Sequence, residues 1–259
     1  MAETIAVLSL KGGTGKTTTV RTLADVLRRV GLSVLVIDLD PQGNLSDYFD
    51  VPADATPTVA DVLGGDAKAS EAVHDGIIPA TPILAEVERT MSGKMGRELV
   101  LRKALKDVRK EHDLILIDCP PALGLLTTNG LVAADWALVS SEAQYFALQG
   151  VEGALEVIEQ AKEFYNPDLE WLGVALNIAD MRTVHSREAY EQLSEHYGDK
   201  VFEAVIRSSI AYAESAEKGI SILDHRADLG ADYLALADEV LRRVGLKEAR
   251  KKLKPLLAA

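Results

Sequence analysis

The chain has 259 residues, 47% of them hydrophobic, and a formal net charge of −12 at pH 7. This length and apolar content suffice for one α/β domain or two small ones, and the overall acidity argues at first sight against nucleic-acid binding. No apolar run approaches the roughly 18–20 residues that cross a bilayer, and no basic region precedes the first apolar run, so we expect neither a membrane span nor an ordinary signal peptide. A single cysteine, Cys119, allows no internal disulfide and suits a reducing cytoplasm.

The first predicted elements are a strand at Ile5 to Leu8, a glycine-rich turn and a helix with one apolar face. The glycines of the turn let backbone N–H groups converge on an anion at the positive end of the helix. In such a phosphate loop Lys16 reaches the β- and γ-phosphates, and the Thr17 hydroxyl joins the shell of a Mg²⁺ ion. The predicted nucleotide-binding residues are Lys11, Gly12, Gly13, Thr14, Gly15, Lys16, Thr17 and Thr18.

This loop departs from the general phosphate-loop pattern because Leu10 stands where that pattern has glycine. It also carries a second lysine, Lys11, at its entrance. The form Lys-Gly-Gly-x-Gly-Lys-Thr-Thr resembles the deviant loop of the ParA/MinD group of P-loop ATPases. The resemblance implies that Lys11 crosses an ATP-bound dimer to contact the partner's nucleotide, and that Lys11 and Lys16 both serve catalysis.

The next predicted strand, Ser33 to Ile37, runs into the sequence Asp-Leu-Asp-Pro-Gln-Gly-Asn at 38–44. Acids at the carboxyl end of a strand beside a phosphate loop lie where a doubly wound sheet gathers its chemistry. The sequence resembles the second motif of ParA-type ATPases, and MinD-type relatives lack its Pro-Gln-Gly-Asn continuation. The resemblance implies that Asp40 positions the attacking water and that Asp38 neighbours the water shell of the metal. A plain turn is the alternative, because Asp, Pro, Gly and Asn are all turn formers.

Residues 50–92 predict only a short helix, Val59 to Leu63, and a minor strand, Ile77 to Ala80, before helical periodicity returns from Met95 to Lys110. The apolar run from Leu114 that ends in Asp118 is typical of a strand buried on both faces of a parallel sheet. Asp118 is expected to hold Mg²⁺ through a water. The sequence Ile-Asp-Cys-Pro-Pro at 117–121 resembles the ParA pattern, and its buried thiol is expected to be inert.

Two later strands, Trp136 to Ser140 and Leu172 to Leu176, are followed by polar residues. Residues 142–148 resemble the family's Gln-x-Glu-Tyr-Tyr-Ala-Leu segment, with Glu142 at the Gln place and Tyr145 within it. Asn177 can donate to and accept from an adenine edge, and the resemblance assigns it base recognition. A loop-capping asparagine is the alternative.

Basic residues near the C-terminus raise the question of DNA. After the predicted strand Val201 to Ile206, Ser208 and Ala211 occupy two positions where the family has arginines that help the dimer hold DNA, although Arg207 lies beside the first. After the predicted helix Gly230 to Arg243 comes a basic tail. Residues 242–254 hold seven cations and one acid, a formal charge of +6 that leaves −18 on the rest. Screening over about 8 Å at physiological salt lets such a patch act independently of distant acids.

Three interpretations of the tail remain open: a solvated terminal helix, a DNA-backbone patch or a membrane-surface helix. The lack of Trp and Phe argues against the membrane helix, and Pro255 is expected to shorten it. The candidate DNA contacts are Arg207, Lys247, Arg250 and Lys251.

The resemblance runs from Ile5 to about Val240. It implies one doubly wound, mostly parallel α/β domain with helices on both faces, residues 1–245, with a basic tail of the same domain at 246–259. The implied activity is Mg²⁺-dependent ATP hydrolysis by a homodimer that binds DNA nonspecifically and is stimulated by a ParB-like partner or cargo adaptor. Its role would be to segregate or position a plasmid, chromosome or protein assembly, in the cytoplasm at the nucleoid. The alternatives are a MinD-like membrane-associated switch and a P-loop metabolic synthetase.

Overall fold

The computed structural model describes residues 2–144 and 146–257, so Tyr145 of the family-like segment lies outside the described residues. The strands form one seven-stranded sheet in the order β3-β2-β4-β1-β5-β6-β7, and every pairing between these strands is parallel. Their bounds are β1 Glu3–Leu8, β2 Val34–Asp38, β3 Ile77–Ile78, β4 Leu114–Asp118, β5 Trp136–Glu142, β6 Glu170–Ala179 and β7 Val201–Arg207. Because β1 lies between β4 and β5, the loop after β1 opens at the crevice where open α/β sheets bind ligands.

Helices connect the strands and cover the sheet. The α-helices are α1 Lys16–Arg29, α2 Asn44–Tyr48, α3 Val59–Gly64, α4 Leu84–Met91, α5 Val100–Ala104, α6 Leu125–Ala133, α7 Ala147–Phe164, α8 Val184–Tyr197, α9 Ala211–Glu217, α10 Ile222–His225, α11 Ala227–Arg243 and α12 Lys247–Leu257. Short 3₁₀ turns occur at Ala69–Ala72, Arg97–Leu99, Val108–Lys110 and Gly198–Lys200. None of the helices in the described part of the chain combines the length and apolar character needed to cross a membrane.

Successive side chains of the buried strands point to opposite faces of the sheet, which creates two hydrophobic cores, one on each face. Ala6 and Leu8 of β1 join one cluster, which includes residues of α5 to α8, whereas Ile5 and Val7 join the other, with residues of α1, α11 and α12. The three layers confirm the predicted doubly wound α/β fold.

The helical periodicity predicted over 95–110 corresponds only in part to an α-helix. The segment contains only α5 flanked by the 3₁₀ turns at 97–99 and 108–110. Leu101, Leu105 and Val108 are still buried, which is why the spacing looked helical. The side chain of Asn129 accepts the backbone N–H of Leu101 and donates to the carbonyl of Arg97, so tertiary hydrogen bonds replace helical ones here.

The basic tail forms α12, which packs against α11. Ala249 and Leu253 are buried in the same core cluster as residues of α11, and Arg250 forms two hydrogen bonds of 2.7 and 2.8 Å with the carboxylate of Asp238. Pro255 does not end this helix, which continues to Leu257. Pro255 has no backbone N–H to donate to the carbonyl four residues earlier, so the helix continues without that hydrogen bond.

Candidate nucleotide site

The turn between β1 and α1 has the backbone of a phosphate-binding loop. Gly13 and Gly15 adopt φ angles of +78° and +79°, in the left-handed region that favours glycine. A Cβ on Gly15 would also lie 3.2 Å from the side chain of Asn177. The Ser140 hydroxyl donates to the carbonyl of Thr14 at 3.0 Å, so β5 supports the loop from below. The first helical residue is Lys16, which places the amino end of α1 directly behind the loop.

Asp118 forms hydrogen bonds with both Lys16, predicted to bind phosphate, and Thr17, predicted to bind the metal. Its Oδ1 accepts from Nζ of Lys16 at 2.8 Å, and its Oδ2 accepts from the hydroxyl of Thr17 at 2.7 Å. Burial alone would lower the pKa of Lys16, but attraction to Asp118 outweighs it and the pKa is raised. Burial raises the pKa of Asp118 in spite of Lys16, with a further contribution from Asp40. Lys16 is therefore held protonated at the base of the loop.

The two acids at the end of β2 occupy different surroundings. Asp38 is fully buried and accepts hydrogen bonds from the backbone N–H groups of Asp40 and Ser46 and from the Ser46 hydroxyl, at 2.8–3.0 Å. Burial and the neighbouring charge of Asp118, its partner in the β2–β4 register, raise the pKa of Asp38 to about 7. Asp40 is slightly more open, lines the cavity and accepts the backbone N–H of Gln42 at 3.0 Å. The segment is also a turn, closed by a 2.9 Å bond from the Gly43 N–H to the Asp40 carbonyl.

The donor set fits Mg²⁺. Asp118 and Asp40 both act on the buried ammonium of Lys16, and Asp38 is the register partner of Asp118, so a divalent ion would offset a local excess of negative charge. Within residues 2–144 and 146–257, no group of three or more His, Cys, Asp or Glu side chains is arranged to hold a metal ion by itself. Mg²⁺ is suited to such a partial set, because it usually keeps several waters and takes substrate phosphates as ligands. Thr17 would supply the direct protein ligand, with Asp38 and Asp118 acting through water.

A cavity of about 870 Å³ extends from the loop toward α9 and α11. Sequence reasoning missed several residues of its wall: Arg21, Tyr48, Tyr212 and Tyr233. Arg21 is buried, donates to the Tyr212 carbonyl at 2.9 Å and the Ser215 hydroxyl at 2.6 Å, and lies 4.2 Å from the centre of the Tyr48 ring. Burial lowers the pKa of Arg21. The available signal was an arginine within the apolar face of α1.

Asn177 lies beneath the loop in this cavity and is almost fully buried. Its amide nitrogen donates to the Ser140 hydroxyl at 2.8 Å, and its amide oxygen lies 3.4 Å from the Thr19 hydroxyl. These contacts show a structural function as support for Gly15. Recognition of the adenine edge by Asn177 stays a prediction, and it would use the second N–H of the same amide.

Lys11 projects from the entrance of the loop, and its side chain is 65% exposed. Its Nζ lies 2.7 Å from Oε2 of Glu142 and 3.4 Å from Oε1 of Gln144. The structure therefore separates the two loop lysines, because Lys16 is buried against Asp118 and Lys11 is held at the surface.

Cys119 is fully buried, and burial raises the pKa of its thiol to about 12, as expected for an inert cysteine. Its Sγ lies 2.8 Å from the position of a Cβ on Gly130, so the thiol fills space left by that glycine.

The candidate DNA contacts do not form one patch. Arg207 ends β7 beside the nucleotide cavity and pairs with Asp232 at 2.9 Å. The other candidates are on α12, where Lys252 approaches Gly31 at the far end of α1, about 20 Å along that helix from the loop. Arg250 is held by Asp238, whereas Lys247 and Lys251 are exposed, with Lys251 in a surface pair with Glu248 at 2.7 Å.

Arg243 is one of the basic residues of the tail, but its side chain is engaged in contacts within the fold. It donates to the carbonyls of Leu172, Lys200 and Val201 and stacks on the Phe202 ring at 3.8 Å. Arg243 therefore stabilises the ends of β6 and β7 and adds little to a DNA-binding surface.

The sheet order and the loop define a P-loop nucleotide-binding protein, and comparisons with known proteins specify the family. A family model described as an AAA domain matches residues 2–171. The chromosome-partitioning ATPase Soj of Thermus thermophilus is 40% identical over 246 residues, which cover 93% of this chain and 96% of that protein. The chain belongs to the ParA/MinD family of P-loop ATPases, as the deviant loop indicated.

Two solved structures are similar over most of the chain. Apo McdA of Cyanothece has a TM-score of 0.84 at 25% identity, and the matched region covers 93% of this chain and 100% of the McdA chain. Cobyrinic acid a,c-diamide synthase of Mycobacterium smegmatis, with bound ADP and magnesium, has a TM-score of 0.76 at 37% identity and covers 84% of this chain and 93% of its own.

Proposed function

We propose that this protein is a ParA-type switch that hydrolyses ATP with Mg²⁺ and dimerises when ATP is bound. The observation that carries the proposal is the convergence of Lys16, Thr17, Asp40 and Asp118 at the mouth of the glycine-rich loop. Similarity to a chromosome-partitioning ATPase and to a synthase solved with ADP and magnesium supports the same ligands here.

In the proposed reaction the loop amides and Lys16 bind the β- and γ-phosphates, and Asp40 orients the water that attacks the γ-phosphate. Mg²⁺, held by Thr17 and through water by Asp38 and Asp118, would supply positive charge to the phosphate oxygens. The hydrogen bonds to Asp38 fix the end of β2 and hence the position of Asp40. These residues mainly orient and stabilise charge, which is the principal work in phosphoryl transfer.

In the proposed dimer, Lys11 of each subunit would add a positive charge to the nucleotide bound by the other subunit. Lys11 is exposed at the loop entrance, where it can reach a partner's nucleotide, and trans cations of this kind contribute about 10³–10⁵ in rate in other phosphoryl-transfer systems. Exposed apolar residues lie after β4, β6 and β7, at the same edge of the sheet as the loop: Leu123, Met181, Val184 and Ile210. Exposed apolar residues at one edge support a protein–protein contact there.

The proposed output is ATP-dependent, nonspecific binding to DNA, reversed when a ParB-like partner or a cargo adaptor stimulates hydrolysis. The lysines of α12 are the supporting feature, because exposed cations neutralise phosphates without reading sequence. The protein would then act in the cytoplasm at the nucleoid, and segregate or position a plasmid, chromosome or protein assembly.

A metabolic synthetase is the second candidate, favoured by the similarity to cobyrinic acid a,c-diamide synthase. The Pro-Gln-Gly-Asn continuation at 41–44 favours the partitioning function instead. Phosphate release measured without any added small substrate, with and without duplex DNA, separates the two. The switch predicts turnover from ATP and Mg²⁺ alone, whereas a synthetase would require its carboxylate or amine substrate.

DNA retention measured with ATP, with ADP and without nucleotide across a salt series tests the output. The proposal predicts retention with ATP only and a steep loss with salt. Co-sedimentation with liposomes under the same conditions tests the MinD-like alternative. Binding to liposomes but not to DNA would overturn the DNA-based proposal.

A further inference from the structure

Glu142 holds Lys11 within the same chain. Its Oε2 accepts from Nζ of Lys11 at 2.7 Å, and its Oε1 accepts from Nε2 of Gln144 at 2.5 Å. Both carboxylate oxygens are therefore engaged, and the Oε1 of Gln144 lies a further 3.4 Å from Nζ of Lys11. The three side chains form one polar cluster at the entrance of the phosphate loop.

The two partners of the ion pair differ in solvent exposure and in their position in the fold. Glu142 is the last residue of β5, its side chain is 15% exposed, and it is in register with Asn177 of β6. Lys11 lies in the loop with its side chain 65% exposed. Because Glu142 lies at the end of a sheet strand and the Lys11 side chain is mostly exposed, we take the glutamate as the residue that sets where the Lys11 ammonium is held before a partner arrives.

The sequence at 142–144 explains why the contact forms here. The family-like segment has the order Gln-x-Glu, whereas this chain has Glu142-Ala143-Gln144, so the carboxylate stands two residues earlier. Because β5 ends at Glu142, this order places the negative charge on the last residue of the strand, where it contacts Lys11, and Gln144 follows in the turn beyond the strand.

We propose that Glu142 is a positioning residue that retains Lys11 in cis and thereby weakens ATP-dependent dimerisation. This inference rests on the proposed function of Lys11 in a partner's site. A two-fold dimer would have to break two such ion pairs, one in each subunit, and would leave both carboxylates without their cations. Since exposed ion pairs are individually weak, removing both penalties should tighten the ATP-dependent dimer about 2- to 30-fold.

The variant Glu142→Gln tests this, because the amide keeps the size and an acceptor while removing the charge. We expect its dimerisation constant with ATP to tighten by that factor, and the difference from the native protein to shrink as salt screens the pair. Glu159→Gln, an exposed position on α7, is the charge-matched control and should leave dimerisation unchanged.

A zero-length cross-link tests the contact independently of dimerisation. A water-soluble carbodiimide condenses the Glu142 carboxylate with the Lys11 amine to an amide and takes up the released water as a urea. The nucleotide-free monomer should yield the Lys11–Glu142 link, detected by peptide mass spectrometry, and ATP with Mg²⁺ should reduce it. The surface pair Lys162–Glu170, 3.3 Å apart, is the positive control.

Two results would overturn the inference: a cross-linked control pair with no Lys11–Glu142 link, or a Glu142→Gln dimer no tighter than the native one. If the native protein forms no dimer at any ATP concentration, the proposed function fails and the dimerisation effect fails with it. The cross-link would still decide separately whether Glu142 holds Lys11.

Discussion

Nζ of Lys16 lies 2.8 Å from Oδ1 of Asp118, and the two residues are 102 positions apart in the sequence. Both side chains are buried, at 7% and 1% exposure, so the ion pair ties the first turn of α1 to the end of β4 inside the protein. The same lysine is the one proposed to bind phosphate, so one contact would serve both the fold and the proposed chemistry.

Asp118→Ala should lower the free energy of unfolding by about 3–5 kcal/mol, because it leaves the Lys16 ammonium buried without its partner. Urea unfolding without nucleotide measures the loss. The exposed Asp107→Ala is the matched control and should change stability by less than about 0.5 kcal/mol. A loss below about 1 kcal/mol for Asp118→Ala would contradict a buried ion pair.

Stability without metal should fall as pH rises from about 4 to 7. The pKa of Asp38 is raised from 3.8 to about 7 in the folded protein, so over this range the folded state binds a proton that the unfolded state has released. Above both pKa values the folded protein carries the full cost of the buried charge, a loss of a few kcal/mol. Denaturant unfolding in EDTA at pH 5 and pH 8 measures the slope.

Asp38→Asn supplies the control for this pH dependence. Whatever its absolute stability, the variant should show a flatter dependence over the same interval, because its amide does not titrate. Equal slopes for the native protein and the variant would show that other groups cause the change.

Asp40→Ala should bind ATP but release phosphate about 10²- to 10⁴-fold more slowly, the range typical of removing a group that directs the attacking water. Nucleotide binding measured by fluorescence and a phosphate-release assay separate the two effects. Asp54→Ala, an exposed acid outside the cavity lining, should retain normal turnover. Near-normal turnover by Asp40→Ala would remove Asp40 from the mechanism.

The strands and the phosphate loop were predictable because their information is local. Leu114 to Asp118 is a continuous apolar run with a terminal acid, and the two left-handed glycines follow directly from the loop sequence. The carboxyl ends of parallel strands meet at one edge, which brought Asp38 and Asp118 together correctly. These features need no knowledge of distant packing.

Contacts between distant residues were not predictable in the same way. Lys11 and Glu142 are separated by 131 residues, and no local pattern pairs them. The cavity wall formed by Arg21, Tyr48 and Tyr212 depends on how α1, α2 and α9 meet. Likewise the spacing of Leu101, Leu105 and Val108 correctly predicted that these side chains are buried. It did not predict the backbone conformation, because the side chain of Asn129 replaces helical hydrogen bonds there.

Neutralising three of the four exposed lysines of α12 should weaken ATP-dependent DNA retention without unfolding the helix. Lys247→Gln, Lys251→Gln and Lys254→Gln together should reduce the slope of log affinity against log salt by up to about 3, because each lost phosphate contact contributes about 0.9. Truncation after Gly245 is a poorer test, since it also removes the buried Leu253.

The matched control for the α12 variant neutralises three exposed lysines elsewhere: Lys94→Gln, Lys103→Gln and Lys106→Gln. It should leave the salt slope unchanged. Equal losses for the two triple variants would indicate a general charge effect, and no loss for either would make α12 an ordinary solvated helix.

The mass of the protein in solution, measured by light scattering with ATP and Mg²⁺, with ADP and without nucleotide, tests the central claim most directly. The slowly hydrolysing Asp40→Ala variant should have a mass of about twice 27.9 kDa with ATP and Mg²⁺. With ADP or without nucleotide, its mass should be 27.9 kDa. Adding Lys11→Ala to that variant should give 27.9 kDa throughout, because the trans cation is lost. A mass independent of nucleotide, or a normal ATP-dependent dimer without Lys11, would contradict an ATP-dependent switch that operates through this lysine.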